Sequence, residues 1–109
     1  MKRYCLALDL KDNPALIREY VRMHTEVWPE IKDSIWKSGI LEMEIYLIRN
    51  RLFMIIETTD EFSFERKAEL DLNDPKVMEW EKLMWKYQAS IDPAQPAIKW
   101  QPMELIFKL

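Results

Sequence analysis

An α+β fold ordered strand, helix, strand, strand, helix, strand is what the 109 residues predict, and three observations carry it. Three segments alternate apolar and polar residues with the period of a half-buried strand. Two pairs, Asn13-Pro14 and Asp74-Pro75, each join a capping side chain to a proline whose missing N–H costs nothing at a first helical position. The one glycine, Gly39, stands where a helix must end before the second strand begins.

The first strand covers Arg3 to Leu10, with Tyr4, Leu6, Leu8 and Leu10 on one face and Arg3, Cys5, Ala7 and Asp9 on the other. Behind the Asn13 cap a helix is expected from Pro14 to about Trp28, where Pro29 ends or kinks it. Its apolar stripe runs from Leu16 to Trp28 and holds Tyr20 and His24 one turn apart. A shorter helical piece from Pro29 ends at Gly39. Alternation resumes from Leu41 to Ile48, with Leu41, Met43, Ile45 and Leu47 sharing a face. Leu52 to Thr58 follows a polar turn at Arg49-Asn50-Arg51, which makes a hairpin. Asp60 is expected to cap a modest helix to about Leu70, and Asp74 a stronger one from Pro75 to Gln88. Asp92 to Pro102 reads as an extended loop punctuated by proline, and Met103 to Lys108 as the last strand. This order is the ferredoxin-like βαββαβ arrangement, a four-stranded antiparallel sheet with helices on one face. Several strands carry apolar residues on both faces, so the face without helices is expected to be covered by a second copy, sheet on sheet, in a homodimer.

The length suits one domain over residues 1–109, and 49% hydrophobic with 32% charged residues is enough to fill a core. A formal charge of −3 with no run of one sign offers no footprint for nucleic acid or an anionic membrane. No apolar run approaches the ~20 residues that span a bilayer. Met1 to Cys5 leads into a strand rather than the apolar core of a signal peptide, so a cytoplasmic protein is expected. A lone Cys5 cannot close an intrachain disulfide, and a lone histidine gives no Cys/His cluster. Neither a metal nor a cofactor is expected.

His24 is the obvious candidate for chemistry, because an imidazole donates and accepts protons near neutral pH. Its alternative is a core histidine bonded to a carbonyl or to Tyr20. Five tryptophans in 109 residues are mostly accounted for by core packing. On the Pro75–Gln88 helix, Val77, Trp80, Leu83, Met84 and Tyr87 share a face while Trp85 falls to its side. Either that helix is buried from two directions, or Trp85 lines a cleft where its ring lies against sugar C–H bonds. Glu42, Glu44 and Glu57 could pair as acid and base, but a solvated strand face accounts for them more simply.

The run His24-Thr25-Glu26-Val27-Trp28-Pro29-Glu30, preceded by Tyr20, resembles the L-rhamnose mutarotase family, whose members carry Y-x-x-x-H-x-x-x-W-P-E here. The likeness continues in Ile45-Tyr46-Leu47, in Trp85-Lys86-Tyr87 and in a final strand after a proline-containing loop. It implies a dimeric α+β barrel and interconversion of the α and β anomers of a 6-deoxyhexose monosaccharide by acid–base ring opening. It further implies His24 as catalytic proton donor, with Tyr20 and Trp85 binding the sugar. Trp85 matches the second of two adjacent family tryptophans and Met84 stands where the family has the first, with Trp80 as a candidate substitute, and Met43 stands where it has a substrate-binding tyrosine. Those departures make L-fucose a rival to L-rhamnose. Two other readings share the architecture: a cofactor-independent monooxygenase-type enzyme, and a non-catalytic ligand-binding module with a structural His24.

Overall fold

The structure, a computed structural model, describes residues 1–97 and 99–109; Ile98, within the predicted loop, lies outside the described residues. Its strands are β1 (Lys2–Leu10), β2 (Ile40–Ile48), β3 (Arg51–Thr58), β4 (Gln88–Ala89) and β5 (Gln101–Pro102). Its helices are α1 (Pro14–Met23), α2 (Pro29–Lys37), α3 (Phe64–Leu72) and α4 (Pro75–Met84). The antiparallel sheet runs β2-β3-β1-β4, with β5 also on β1, which is the strand order of a ferredoxin-like α+β fold.

The alternation read from sequence sets the inner face. Leu6, Leu8 and Leu10 of β1 and Leu52, Met54 and Ile56 of β3 are buried, and register pairs Leu6 with Met54 and Leu8 with Leu52. Two apolar clusters form there, one around Leu10, Tyr20, Trp80 and Tyr87, the other around Leu6, Ile40, Ile56 and Phe62. Ile35, Ile45 and Trp100 touch both, so the space between the clusters is bridged from α2, β2 and the C-terminal segment.

Both Asx-Pro starts form as expected. Asn13 Oδ1 accepts from the backbone N–H of Ala15 and Leu16, and Asp74 Oδ1 from those of Lys76 and Val77. Gly39 takes φ +101°, a left-handed turn after α2, and its carbonyl accepts from Thr59 N–H at 2.9 Å.

Six expectations need correction. The first helix stops at Met23 rather than Trp28: the Thr25 hydroxyl donates to Arg22 O at 2.6 Å, the next residues close as turns, and Trp28 is held extended before Pro29. In β2 a bulge sits between Ile40 and Glu42, so Ile40 is buried and Leu41, expected inside, is exposed. The hairpin turn shortens to Arg49-Asn50, with Arg51 already in β3 and paired to Ile48. Asp60 caps nothing; it meets the N-terminal ammonium at 2.8 Å, and the Ser63 hydroxyl caps α3 through Arg66 N–H. The last helix ends at Met84, so Trp85 to Tyr87 form a turn and Gln88 belongs to β4 beside Leu10. Met103 to Lys108 is not a strand. The edge of β1 is instead met by the short β4 and β5, Met103 N–H gives a last bond to Cys5 O, and the chain then leaves the sheet with Leu105, Ile106 and Phe107 exposed.

Candidate functional site

Between the two apolar clusters lies a cavity of about 260 Å³, walled by α1, α2, α3 and α4 and floored by β1, β2 and β3. That is just below the ~300–1,000 Å³ common for ligand pockets and suits one sugar ring rather than a chain of them. Leu6, Ile40, Met54 and Ile56 give an apolar floor, and a few polar groups converge on it: Tyr20, His24, Ser34, Lys67, Glu81 and Gln88.

His24 sits at the C-cap of α1, where the helix hands the chain to a turn. Its Nδ1 lies 2.8 Å from the Tyr20 carbonyl oxygen. A carbonyl only accepts, so Nδ1 carries the hydrogen and Nε2 keeps its lone pair. The ring stacks on Tyr20 with centroids 4.2 Å apart and stands edge-on to Trp80 at 5.7 Å. Burial pushes its pKa below the ordinary imidazole value, the carbonyl bond opposing more weakly, so the ring is neutral at pH 7. Both cavity exposure and the neutral form suit a group that first takes a proton.

Tyr20 is 3% exposed, and burial raises its phenol to about 12, with the neighbouring Gln88 amide pulling the other way. The hydroxyl therefore stays protonated and serves as a neutral donor. Trp80, buried on α4, is held edge-on by Trp28 at 5.0 Å. The tyrosine–histidine spacing and Trp80 are thus brought together, as the sequence suggested.

Trp85 is not. It falls in the turn after α4, outside the cavity lining, and its ring lies 4.6 Å below the Lys99 ammonium. Lys99 in turn bonds the Glu81 carboxylate and carbonyl, so Trp85 is linked to the cavity wall through that pair. Met43, half-buried on β2, does line the cavity, as does Met84. Glu42 and Glu44 are exposed, and Glu57 bonds Arg3 at 3.2 Å, so these carboxylates belong to the solvated face.

The residues that sequence reasoning missed are Ser34, Lys67, Glu81 and Gln88. Lys67 is tethered to Asp71 at 2.6 Å, and Ser34 donates to Ile31 O at 2.7 Å, ordinary helical arrangements with no sequence signal for a site. Gln88 had one: a polar residue directly after Tyr87 that is buried once the chain has left the helix. Among the described residues, no three His, Cys, Asp or Glu side chains gather into a set for a metal ion, and no helix is long and apolar enough to cross a membrane.

Comparison with known proteins places this geometry. Residues 3–109 match a family model described as L-rhamnose mutarotase. The L-fucose mutarotase of Xanthomonas campestris pv. campestris is 40% identical over the whole of this chain and 89% of its own length. The L-rhamnose mutarotase of Paraburkholderia phytofirmans is 28% identical, over 89% of this chain and 87% of its own. Among solved structures, an L-rhamnose mutarotase from Formosa agariphila superposes with a TM-score of 0.72 at 20% identity, covering 100% of this chain and 99% of that one.

Proposed function

The chain belongs to the L-rhamnose mutarotase family, sugar mutarotases acting on a 6-deoxyhexose, and on that premise we propose that His24 exchanges the α and β anomers in the cavity beneath α1. The observation that carries this is the neutral imidazole whose Nδ1 is committed to Tyr20 O, leaving Nε2 as the nitrogen free for a ligand. Nε2 takes the proton of the anomeric hydroxyl. The imidazolium then gives that proton to the ring oxygen as the bond from C1 to the ring oxygen breaks and the C1 carbonyl forms. Both oxygens are bonded to C1, so one nitrogen reaches both. Rotation about C1–C2 and the reverse transfers close the ring as the other anomer, and His24 ends as it began. Tyr20 and Trp80 bind the sugar, the phenol as hydrogen-bond donor and the indole as an apolar wall. Trp85 acts through Lys99 on Glu81 rather than by stacking on the ring. The monooxygenase-type and non-catalytic readings give way to the family assignment.

L-Fucose is the preferred sugar. Supporting this, the relative named L-fucose mutarotase is the more similar of the two compared, and Met43 lines the cavity where the resemblance puts a tyrosine. Residues 1–109 act as one mutarotase domain, and the enzyme works in the cytoplasm, in keeping with its free Cys5. It functions as a homodimer: the helix-free sheet face carries the half-buried stripe Cys5, Ala7, Phe53 and Ile55 beside exposed Tyr46, and the apolar C-terminal arm projects from the same sheet.

Saturation-transfer NMR on each sugar tests the activity. Faster anomer exchange of L-fucose than of L-rhamnose is expected; exchange of both at the rate without protein would overturn it. Light scattering should give twice the 13.3 kDa chain mass, and a single-chain mass would remove the dimer.

A further inference from the structure

We propose that Gln88 reads the configuration of the sugar, its side-chain amide forming a hydrogen bond with a deoxyhexose hydroxyl at C2 or C4. These are the positions at which L-fucose and L-rhamnose differ. The inference rests on the mutarotase reading and adds a specificity-determining residue to it.

Gln88 is 5% exposed and lines the cavity shared by Tyr20 and His24. Its backbone is fixed in β4, paired with Leu10 of β1, so the side chain projects to the inner face with that leucine. The amide lies beside the Tyr20 phenol, near enough to lower its pKa against the rise that burial imposes. The amide oxygen has no partner, and among the described residues it is the one buried side-chain polar atom left in that state. Such an atom costs stability in the empty protein, because water's hydrogen bonds to it are lost and nothing replaces them. A cavity lined mainly by apolar side chains has little reason to hold an unpaired amide oxygen unless a ligand completes it. Turning the amide over would leave the nitrogen free in place of the oxygen. A sugar hydroxyl, donor and acceptor at once, meets either.

The placement also suits discrimination. Tyr20 lies between His24 and Gln88, stacked on the first and beside the second. A pyranose with C1 at Nε2 therefore extends its remaining hydroxyls toward the phenol and the amide. A buried amide left unpaired by the wrong epimer penalises that epimer more than an apolar wall would.

The experiment compares wild type and Gln88→Met in anomer exchange with L-fucose and L-rhamnose, together with thermal unfolding in the absence of sugar. Methionine keeps the length and removes the polar atoms. For the preferred sugar, kcat/KM is expected to fall about tenfold or more, mainly through KM, while the other sugar changes little. The sugar-free variant should melt several degrees higher, since an unpaired buried group has been removed. Should Gln88→Met fail to fold, Gln88→Leu carries the same comparison. An unchanged ratio between the sugars overturns the proposal while leaving the mutarotase reading intact. An equal loss for both sugars, carried in kcat, also overturns it and makes Gln88 a brace for Tyr20. Wild type without activity on either sugar overturns the mutarotase reading itself.

Discussion

Replacing His24 by asparagine separates the bond that orients this residue from the nitrogen that moves protons. Asparagine Nδ2 falls close to where imidazole Nδ1 lies, so it can still donate to Tyr20 O, the 2.8 Å bond of the wild type. Asparagine also tolerates the C-cap conformation, φ −82° and ψ −3°. What disappears is Nε2, with the aromatic contacts to Tyr20 at 4.2 Å and Trp80 at 5.7 Å. Those contacts are worth about 0.5–1.5 kcal/mol, a lowering of Tm by roughly 4–8 °C per kcal/mol in a domain this small. The loss of a positioned acid–base group costs about 10²–10⁴ in rate, or roughly 3–5 kcal/mol of barrier. His24→Asn should therefore stay folded, as judged by circular dichroism, and lose nearly all anomer exchange in saturation-transfer NMR. A folded His24→Asn that exchanges anomers as fast as wild type would refute the reasoning, because the Tyr20 bond alone would then suffice.

Four further outcomes follow from the structure. Burial holds His24 below the ordinary imidazole pKa, so kcat/KM should be flat at neutral pH and fall as acid protonates Nε2, with its midpoint below about 6.5. A midpoint above that value would contradict the burial seen. The same shift makes the unfolded chain bind more protons, so the His24 contribution to stability is whole above about 6.5 and is lost as pH falls through the folded value, which urea melts across that range will register. Met43→Tyr adds a hydroxyl to the cavity wall and should change the L-rhamnose to L-fucose rate ratio by about 2- to 10-fold, the worth of ~0.5–1.5 kcal/mol for one hydrogen bond; an unchanged ratio would take Met43 out of specificity. Gly39→Ala places a Cβ 2.9 Å from Thr59 Oγ1 at φ +101°, and should cost about 1–3 kcal/mol in chemical unfolding with little change in KM.

Topology was legible because its signals are local and redundant. Alternation in Arg3–Leu10 and Leu52–Thr58 agrees with the inner faces that burial now shows, and Asn13 and Asp74 mark helix starts with side-chain bonds that form as expected. Helix ends were harder. Tyr87 continues the apolar periodicity of α4 while sitting in the turn beyond it, and the Thr25 hydroxyl bond that accompanies the exit from α1 depends on geometry rather than composition. A single extra residue at the β2 bulge exchanged Leu41 for Ile40 on the inner face, which a period of two cannot foresee. The same logic divides the site. Tyr20 and His24 lie one turn apart on one helix, so their meeting follows from spacing. Trp85 and Gln88 were both assigned to a helix that ends before them, and the turn that removes Trp85 from the cavity is the one that delivers Gln88 into it. The C-terminal segment alternates like a strand yet leaves the sheet at Met103, whose N–H makes the last bond to β1 at Cys5 O; alternation marks a segment that could pair but not where pairing stops.

With one histidine in the chain, nitrogen-15 NMR of the imidazole reports on His24 alone. Titration with L-fucose should leave Nδ1 protonated and shift Nε2, the nitrogen taken to touch C1 oxygens, with a concentration dependence matching the onset of anomer exchange. An Nε2 resonance unmoved at sugar concentrations where exchange is accelerated would place the chemistry elsewhere in the molecule.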